Sequence, residues 1–308
     1  MGSCNIDETK VPVIDFEDFP VQSQKLIEAC EEWGCARIVN CHSILPASLM
    51  SEMKQVVRSL FDLPQEIKER NKHILPISGY APLNVINPFY ESMGMYDMSS
   101  PQDVETFCSQ LDASPSQRDI MIKYTKAAHE VIMEIGRKFG EGLSLTKGDV
   151  FEGWASQLRI IKYHFRPENM GSTGLATHTD AAVLTLLHDD DCVGGLQVIT
   201  KSGELVAVDP LPGSVLLIIG DAAVIWSNGK FHNAKHRVIC KDTDAADRFT
   251  IASFLLGPKE AAIEAPPELL GPDRKRLYVP ATFHELRKIR VHNNLHNGEV
   301  LDLVRAKP

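Results

Sequence analysis

The stretch THTDAAVLTLL (residues 177–187) decides the fold of this chain, together with the shorter KHRV (residues 235–238). In the first stretch, His178 and Asp180 lie one residue apart at the start of an apolar run. Alternate residues of a β-strand point to the same face, so an imidazole and a carboxylate would lie side by side there. His236 begins the second run, which a few hairpins could bring alongside the first.

Two imidazoles and one carboxylate form a well-known set of metal ligands. When they occupy one face of an octahedron, three positions stay open, as in the facial triad of non-haem Fe(II) sites. Zinc accepts the same ligands but performs no redox chemistry. Because an HxD triplet by itself is more often structural, the interpretation depends on other residues that suit the same site.

Arg248 begins a run in which alternate residues share one strand face, namely Thr250, Ala252 and Phe254. A guanidinium with a hydroxyl two residues further on can hold a carboxylate. A buried arginine is costly without an anionic partner, and no acidic residue in the sequence is its obvious mate. The alternative is an exposed arginine at the start of a strand. In another run, three positions again share a face: Arg159, Ile161 and Tyr163.

After about residue 155 the hydrophobic pattern alternates with a period of two, which is typical of β-strands. The predicted strands are the short runs LRIIKY, VLTLL, GLQVI, LVAV, SVLLII, AVIW, KHRVIC and FTIASFLL. Asn228-Gly229 is a strong hairpin signal. Many short strands at regular intervals favour a jelly roll or a barrel.

The first half of the sequence has helical periodicity. Apolar residues recur every three to four positions in residues 24–33 and 49–61, and Ser114-Pro115 is typical of the start of a long helix. Two further helices are predicted near residues 283–289 and 299–304. We therefore expect a mixed α/β fold: a double-stranded β-helix (jelly roll) wrapped by helices, with a helical region at 1–150, the core at 151–270 and a tail at 271–308, all in one compact unit.

Composition narrows the class of protein. The chain has 308 residues and a formal net charge of −9 without basic clusters, which argues against nucleic acid or an anionic membrane as a partner. Seven cysteines without a CxxC pair favour free thiols in a reducing, cytoplasmic setting. We expect a monomer or a weak homo-oligomer that binds a small molecule.

The sequence resembles the plant 2-oxoglutarate- and Fe(II)-dependent dioxygenases over nearly its whole length. VPVIDF and EEWGCARIVN are similar to the amino-terminal region of that superfamily, and HTDAAVLTLL, GGLQV, DPLPGSVLLIIGD, WSNGKF and HRV to its jelly roll. NPFYESMGMYDMSSPQ, CSQLDASPSQRD and SFLLGPKE resemble the auxin dioxygenase branch, which oxidises indole-3-acetic acid.

The resemblance implies roles for individual residues. Iron would be bound by His178, Asp180 and His236. The distal carboxylate of 2-oxoglutarate would be held by Arg248, Thr250 and Tyr163. Fe(II), 2-oxoglutarate and O2 are the implied cofactors, with ascorbate as a possible support. Phe254 would line the substrate pocket, and Arg159 would contact the substrate. Beyond what the resemblance implies, Ile161 and Phe89 or Tyr90 are further candidates for the lining of that pocket.

Three positions depart from the family pattern. Thr250 stands where serine is common, which preserves the hydroxyl. Ile161 and Ile218 stand where the family commonly has asparagine, which indicates a drier pocket. Two enzymatic hypotheses follow: oxidation of indole-3-acetic acid or a related small acid, or oxidation of a specialised metabolite such as an alkaloid, phenylpropanoid or terpenoid. The third hypothesis is of another class: a jelly-roll protein that only binds its ligand, or one that holds zinc and performs no redox chemistry.

Overall fold

The computed structural model describes residues 10–72, 74, 78–241 and 246–307. Its helices are α1 (Phe19–Glu32), α2 (Ala47–Phe61), α3 (Gln65–Lys68), α4 (Pro101–Gln110), α5 (Pro115–Gly142), α6 (Asp221–Trp226), α7 (Phe283–His292) and α8 (Val300–Leu303). Its strands are β1 (Val13–Asp15), β2 (Cys35–Val39), β3 (Tyr90–Met95), β4 (Trp154–Tyr163), β5 (Thr173–His178), β6 (Leu184–His188), β7 (Leu196–Ile199), β8 (Leu205–Ala207), β9 (Val215–Ile219), β10 (Lys235–Ile239) and β11 (Arg248–Pro258).

The strands form two sheets. The larger sheet has seven strands in the order β1-β2-β9-β6-β11-β4-β3, and the smaller has four in the order β5-β10-β7-β8. Only the β1–β2 pair among these described strands is parallel; the others pair antiparallel. This architecture confirms the mixed α/β fold with a jelly-roll core and a helical amino-terminal region. Three strands from the first hundred residues also join the large sheet.

Strand alternation divides the large sheet into two faces with different partners. On β11, Ile251 and Leu255 belong to the cluster of buried apolar residues that includes α1, α2 and α5. Ala252, on the opposite face, belongs to a second cluster that faces the small sheet. Because successive side chains point to opposite faces, one face anchors the helices while the other remains available to line a cavity.

The long helix α5 begins as predicted. Ser114 is its N-cap, Pro115 occupies the first turn, and Gln117 completes a reciprocal capping box with Ser114. These contacts satisfy backbone N–H groups that the first turn leaves without partners. One side of α5 is buried against α1, α2 and α4. Within the described residues, no helix combines the length and the apolar character needed to cross a bilayer.

Two expectations about residues 223–229 were wrong. AVIW lies in helix α6, not in a strand, and Asn228-Gly229 follows that helix and forms no hairpin. All six residues of α6 are buried, so no polar stripe distinguishes the run from a buried strand. Asn228 and Gly229 both have positive φ, and the Gly229 N–H donates to the Val224 carbonyl at 2.8 Å, which ends the helix.

Candidate active site

Three potential metal ligands converge at one end of the small sheet. His178 is the last residue of β5 and pairs directly with His236 on β10, which brings the imidazole centroids to 4.2 Å. Asp180 lies beyond β5, in the connection to β6, so the expectation that it shares a strand face with His178 was wrong. The chain turns after His178 and brings the Asp180 carboxylate back towards both rings. One ligand atom from each residue lies within 4.8 Å of the others.

Hydrogen bonds orient each of the three side chains. The Nδ1 atoms of His178 and His236 lie 2.9 and 3.1 Å from the carbonyl oxygens of Ala176 and Ala234. A carbonyl can only accept, so each Nδ1 is protonated and each Nε2 presents a lone pair. The two Nε2 atoms lie 3.6 and 3.9 Å from Asp180 Oδ1. Metal-binding histidines are typically held in this way by partners outside the coordination sphere.

The other oxygen of Asp180 also has a fixed partner. The Thr185 hydroxyl on β6 donates to Asp180 Oδ2 at 2.5 Å, which leaves Oδ1 towards the imidazoles. Burial and then the neighbouring His236 lower the pKa of His178 to about 4. Burial acts to raise the pKa of Asp180, but His236, His178 and Thr185 together hold it below its ordinary value. At neutral pH the cluster offers a neutral imidazole and a carboxylate, which are the protonation states that a metal ion requires.

The donor set fits ferrous ion. Two imidazole nitrogens and one carboxylate oxygen on one side leave the opposite side open to a cavity of about 470 Å³. Imidazole and carboxylate ligands suit Fe(II), and the open side provides room for exchangeable ligands. Zn(II) accepts the same donors, so geometry alone does not choose between these two metals.

Arg248 lies in the same cavity and has an acidic partner that the sequence did not reveal. Its guanidinium forms a buried ion pair with Asp189, and its Nε donates to the Val193 carbonyl at 3.1 Å. Asp189 directly follows β6, whose His188 pairs with Ile251 of β11, so the strand register brings Asp189 back to Arg248. The expectation that Arg248 lacks an acidic mate was therefore wrong.

An unsatisfied hydroxyl lies two residues from this arginine. Thr250 Oγ1 is buried and has no hydrogen-bond partner among the described residues. Leaving a buried polar group unpaired costs about 1–3 kcal/mol. Arg248 and Thr250 both line the cavity, so a ligand carboxylate placed between them would satisfy the hydroxyl. The residues present therefore fit the distal carboxylate of a dicarboxylic acid.

One face of β4 lines the cavity beside Arg248 and Thr250. The residues of β3, β4 and β11 that line the cavity include Tyr90, Arg159, Ile161, Tyr163 and Phe254, as the strand alternation predicts. The Arg248 guanidinium lies 5.2 Å from the centre of the Tyr163 ring, and burial raises the pKa of that phenol. Ile218 on β9 also lines the cavity.

Phe89 does not reach the cavity, in contrast to the sequence-based expectation for this residue. It is absent from the described residues that line the cavity, and its half-buried side chain packs against the apolar cluster around Tyr163. Phe89 directly precedes β3, whereas Tyr90 begins that strand and contacts Arg159 through its hydroxyl at 3.1 Å. Adjacent residues of an extended chain point in opposite directions.

Sequence reasoning missed the contribution of the C-terminal helix. Helix α7 closes one side of the cavity with Phe283, Arg287, Arg290 and Val291. Burial, then the nearby charges of Arg159 and Arg290, lower the pKa of Arg287 to about 10. The only signal in the sequence was the set of individual basic residues Arg287, Lys288 and Arg290 at the predicted helix near 283–289, and basic residues on a helix are usually exposed.

The jelly-roll fold and the donor set are together compatible with a mononuclear non-haem oxygenase. Two family profiles match the chain: the 2OG-Fe(II) oxygenase superfamily over residues 154–257, and the N-terminal region named for a non-haem dioxygenase in morphine synthesis over residues 11–112. The 2-oxoglutarate-dependent dioxygenase DAO of Oryza sativa subsp. indica is 41% identical over 281 residues, which cover 91% of this chain and 92% of the relative.

Solved structures agree with these matches. The dioxygenase for auxin oxidation 1 from Arabidopsis thaliana, in a binary complex with 2-oxoglutarate, has 47% identity and a TM-score of 0.83, covering 87% of this chain and 100% of its own. The rice dioxygenase for auxin oxidation has 38% identity and a TM-score of 0.88, with 96% and 100% coverage. The chain belongs to the 2OG-Fe(II) oxygenase superfamily and is a 2-oxoglutarate-dependent dioxygenase. This speaks against the hypothesis of a protein that only binds its ligand.

Proposed function

We propose that this enzyme oxidises indole-3-acetic acid, or a closely related small aromatic acid, with Fe(II), 2-oxoglutarate and O2. The observation that carries the proposal is the match over nearly the full chain to two solved structures described as dioxygenases for auxin oxidation. The cavity supports it, because its lining combines arginines, Arg159 among them, with apolar side chains, and a small aromatic acid requires both features.

We assign the metal to His178, Asp180 and His236. The backbone carbonyls behind both imidazoles and the Thr185 hydroxyl behind the carboxylate hold the three donors towards one point. Iron held there would supply the oxidation by O2, in which 2-oxoglutarate is converted to succinate and CO2. The protein contributes the position of the reactants and the exclusion of water.

The cosubstrate contacts are assigned to Arg248, Thr250 and Tyr163. Asp189 and the Val193 carbonyl fix the guanidinium of Arg248, so that its orientation is set before the ligand binds. Thr250 donates its otherwise unpaired hydroxyl to the same carboxylate. Tyr163 packs beside the guanidinium and can add a phenol. A guanidinium with neighbouring donors is well suited to a carboxylate.

The substrate contacts are assigned to the part of the cavity between β3, β4 and α7. Arg159 is 5% exposed and is oriented by the Tyr90 hydroxyl at 3.1 Å and the Ser92 hydroxyl at 2.6 Å. Its guanidinium can pair with the carboxylate of the substrate. Ile161 and Phe254 supply apolar surface for an aromatic ring and exclude water.

One observation favours a second candidate substrate class. Ile161 and Ile218 both line the cavity at positions where the family commonly has asparagine. Two branched apolar side chains make this part of the cavity drier and better suited to a less polar specialised metabolite, such as a phenylpropanoid, alkaloid or terpenoid. The reaction would be of the same class, with hydroxylation, demethylation, desaturation or ring formation as the outcome.

An assay with purified enzyme tests both candidates. Indole-3-acetic acid is incubated with Fe(II), 2-oxoglutarate and ascorbate in air, and substrate and succinate are followed by mass spectrometry. We expect a product with one added oxygen atom and an equal amount of succinate. Turnover of a specialised metabolite without any turnover of indole-3-acetic acid would establish the second candidate. Absence of substrate-dependent succinate with every compound would contradict both.

We further propose that the enzyme works in the cytosol as a monomer or weak homo-oligomer, without nucleic acid or membrane as a partner. The six cysteines among the described residues are free thiols, which supports a reducing environment. The division of the chain at residues 150 and 270 into a helical region, a core and a tail remains a prediction.

A further inference from the structure

The backbone that carries Asp180 has no strand of its own to hold it. Asp180 lies between the end of β5 and the start of β6, and its geometry therefore depends on neighbouring elements. Helix α6 supplies one support, because the Asp221 N–H donates to the Asp180 carbonyl at 2.8 Å. The chain approaches so closely there that a side chain at Gly220 would lie 2.8 Å from the Asp180 carbonyl and 2.2 Å from the Ala182 carbonyl.

A second support comes from the C-terminal helix. The Arg290 guanidinium on α7 donates to the Thr179 carbonyl at 2.9 Å and to the Thr179 hydroxyl at 3.3 Å. Thr179 is the residue between His178 and Asp180. Its own N–H donates to the His296 carbonyl at 2.8 Å, just after α7. The residue between two of the three metal ligands is thus bound on both its amide and its carbonyl by the C-terminal region.

Arg290 is also linked, through Asp221 and Asn233, to the segment before the third metal ligand, His236. Arg290 forms an ion pair with the carboxylate of Asp221, which is 1% exposed. The other oxygen of that carboxylate accepts from Asn233 Nδ2 at 2.7 Å. Asn233 directly precedes Ala234, whose carbonyl orients the His236 imidazole. One buried carboxylate therefore links the segment before His236 to the segment that carries Asp180.

We propose that Arg290, acting with Asp221, is a positioning residue that sets the spacing of the three metal ligands from outside the coordination sphere. Arg290 contacts the segment between His178 and Asp180, and Asp221 contacts the backbone of Asp180 and, through Asn233, the segment before His236. Helix α7 thereby holds the metal end of the cavity while other residues on it line the substrate end. The proposal rests on the metal site assigned under the proposed function.

The test measures metal binding without any turnover. Metal-free protein is titrated with Mn(II), which binds oxygen and nitrogen ligands of this kind, and the dissociation constant is compared between wild type and Arg290→Met. We expect an increase of about tenfold or more, because partners outside the coordination sphere typically contribute 10- to 100-fold to metal affinity. Lys288→Met, at an exposed position on the same helix, is the matched control and keeps the wild-type value.

A purely structural role would give a different pattern. In that case Arg290→Met lowers the melting temperature of the metal-free protein, but the further rise caused by Mn(II) equals that of wild type. We expect instead that the metal-induced rise itself becomes smaller. A folded Arg290→Met protein with wild-type Mn(II) affinity would overturn the proposal.

If Arg290→Met does not fold, two milder variants test the proposal instead. Arg290→Lys keeps the positive charge but cannot contact Asp221 and Thr179 together, and Asp221→Asn keeps the shape but removes the ion pair. We expect a several-fold weaker Mn(II) affinity in both, and wild-type affinity in both would overturn the proposal. If wild-type protein binds no Mn(II) or Fe(II), the assigned metal site fails as well; if it binds metal but oxidises no auxin, this inference still stands.

Discussion

The metal end and the substrate end of the cavity are built from different kinds of structure. At the metal end, direct pairing of β5 with β10 brings His178 and His236 together, and hydrogen bonds to backbone carbonyls fix their rings. At the substrate end, the lining comes from β3, β4 and α7, which are far apart in the sequence. The metal ligands therefore depend on one pair of strands, supported from outside by α7, whereas the substrate lining depends on how segments distant in sequence pack together. Changes at the two ends should have separable effects.

The largest effect is expected from a change confined to the metal end. Asp180→Asn keeps the shape of the side chain but removes the charge that faces both imidazoles. Substrate-dependent succinate release should fall by more than about 100-fold, because even residues outside the coordination sphere contribute 10- to 100-fold. His292→Gln, at an exposed position, is the control and should retain full activity. A folded Asp180→Asn enzyme with a tenth of wild-type activity would contradict the assignment.

A smaller effect is expected at the substrate end. Arg159→Met keeps a long side chain but removes the charge that we pair with the substrate carboxylate. The KM for indole-3-acetic acid should rise by about 30-fold or more, since loss of one partner of a buried charge pair costs about 2–5 kcal/mol. The KM for 2-oxoglutarate should stay the same. Arg159→Lys should have a KM for indole-3-acetic acid between those of the wild type and Arg159→Met. An equal rise in both KM values would show that the two ends are not separate.

Thr250→Val tests the cosubstrate contact and should act in opposite directions on binding and stability. The KM for 2-oxoglutarate should rise by about tenfold, near the lower end of the 1.5–3 kcal/mol typical of a hydrogen bond to a charged group. The ligand-free protein should be as stable as wild type or more stable, because the hydroxyl has no partner among the described residues. Thr250→Ser should behave as wild type. Loss of stability in Thr250→Val without a change in KM would contradict this role.

The last prediction concerns the stability of the metal-free protein and its dependence on pH, not activity. The pKa of His178 is lowered from its ordinary value of 6.5 to about 4 in the folded state. Between these two pH values the unfolded chain binds more protons, so the free energy of unfolding should fall as the pH drops from about 6.5 to 4. Denaturant unfolding at several pH values measures the slope, and His178→Asn should make it shallower. An unchanged slope in that variant would assign the pH dependence to other groups.

The sequence predicted the parts of the site that lie on strands with a clear alternation. Arg248 and Thr250, like Arg159 and Tyr163, share the cavity face because successive strand residues alternate. Metal ligands could be proposed because their types and order are informative even without the fold. Asp180 itself lies outside any strand, which local alternation could not show.

Other features depend on contacts between distant segments. Asp189 meets Arg248 only because β6 pairs with β11, and Arg290 meets Thr179 only because α7 packs against the cavity. Helix α6 is buried on all sides, so its apolar run carries no period that separates a helix from a strand. Strand register and helix packing decide these contacts, and neither can be derived from one short stretch of sequence.

The most direct test of the central claim is an anaerobic titration of metal-free protein with Fe(II) and 2-oxoglutarate, in either order. We expect one Fe(II) per chain and a 2-oxoglutarate affinity that rises by about tenfold or more once the metal is bound, within the range of typical coupling between two ligands. Binding of 2-oxoglutarate that is equally tight without metal, or the absence of any Fe(II) binding, would contradict the claim that His178, Asp180 and His236 form a ferrous site beside the cosubstrate.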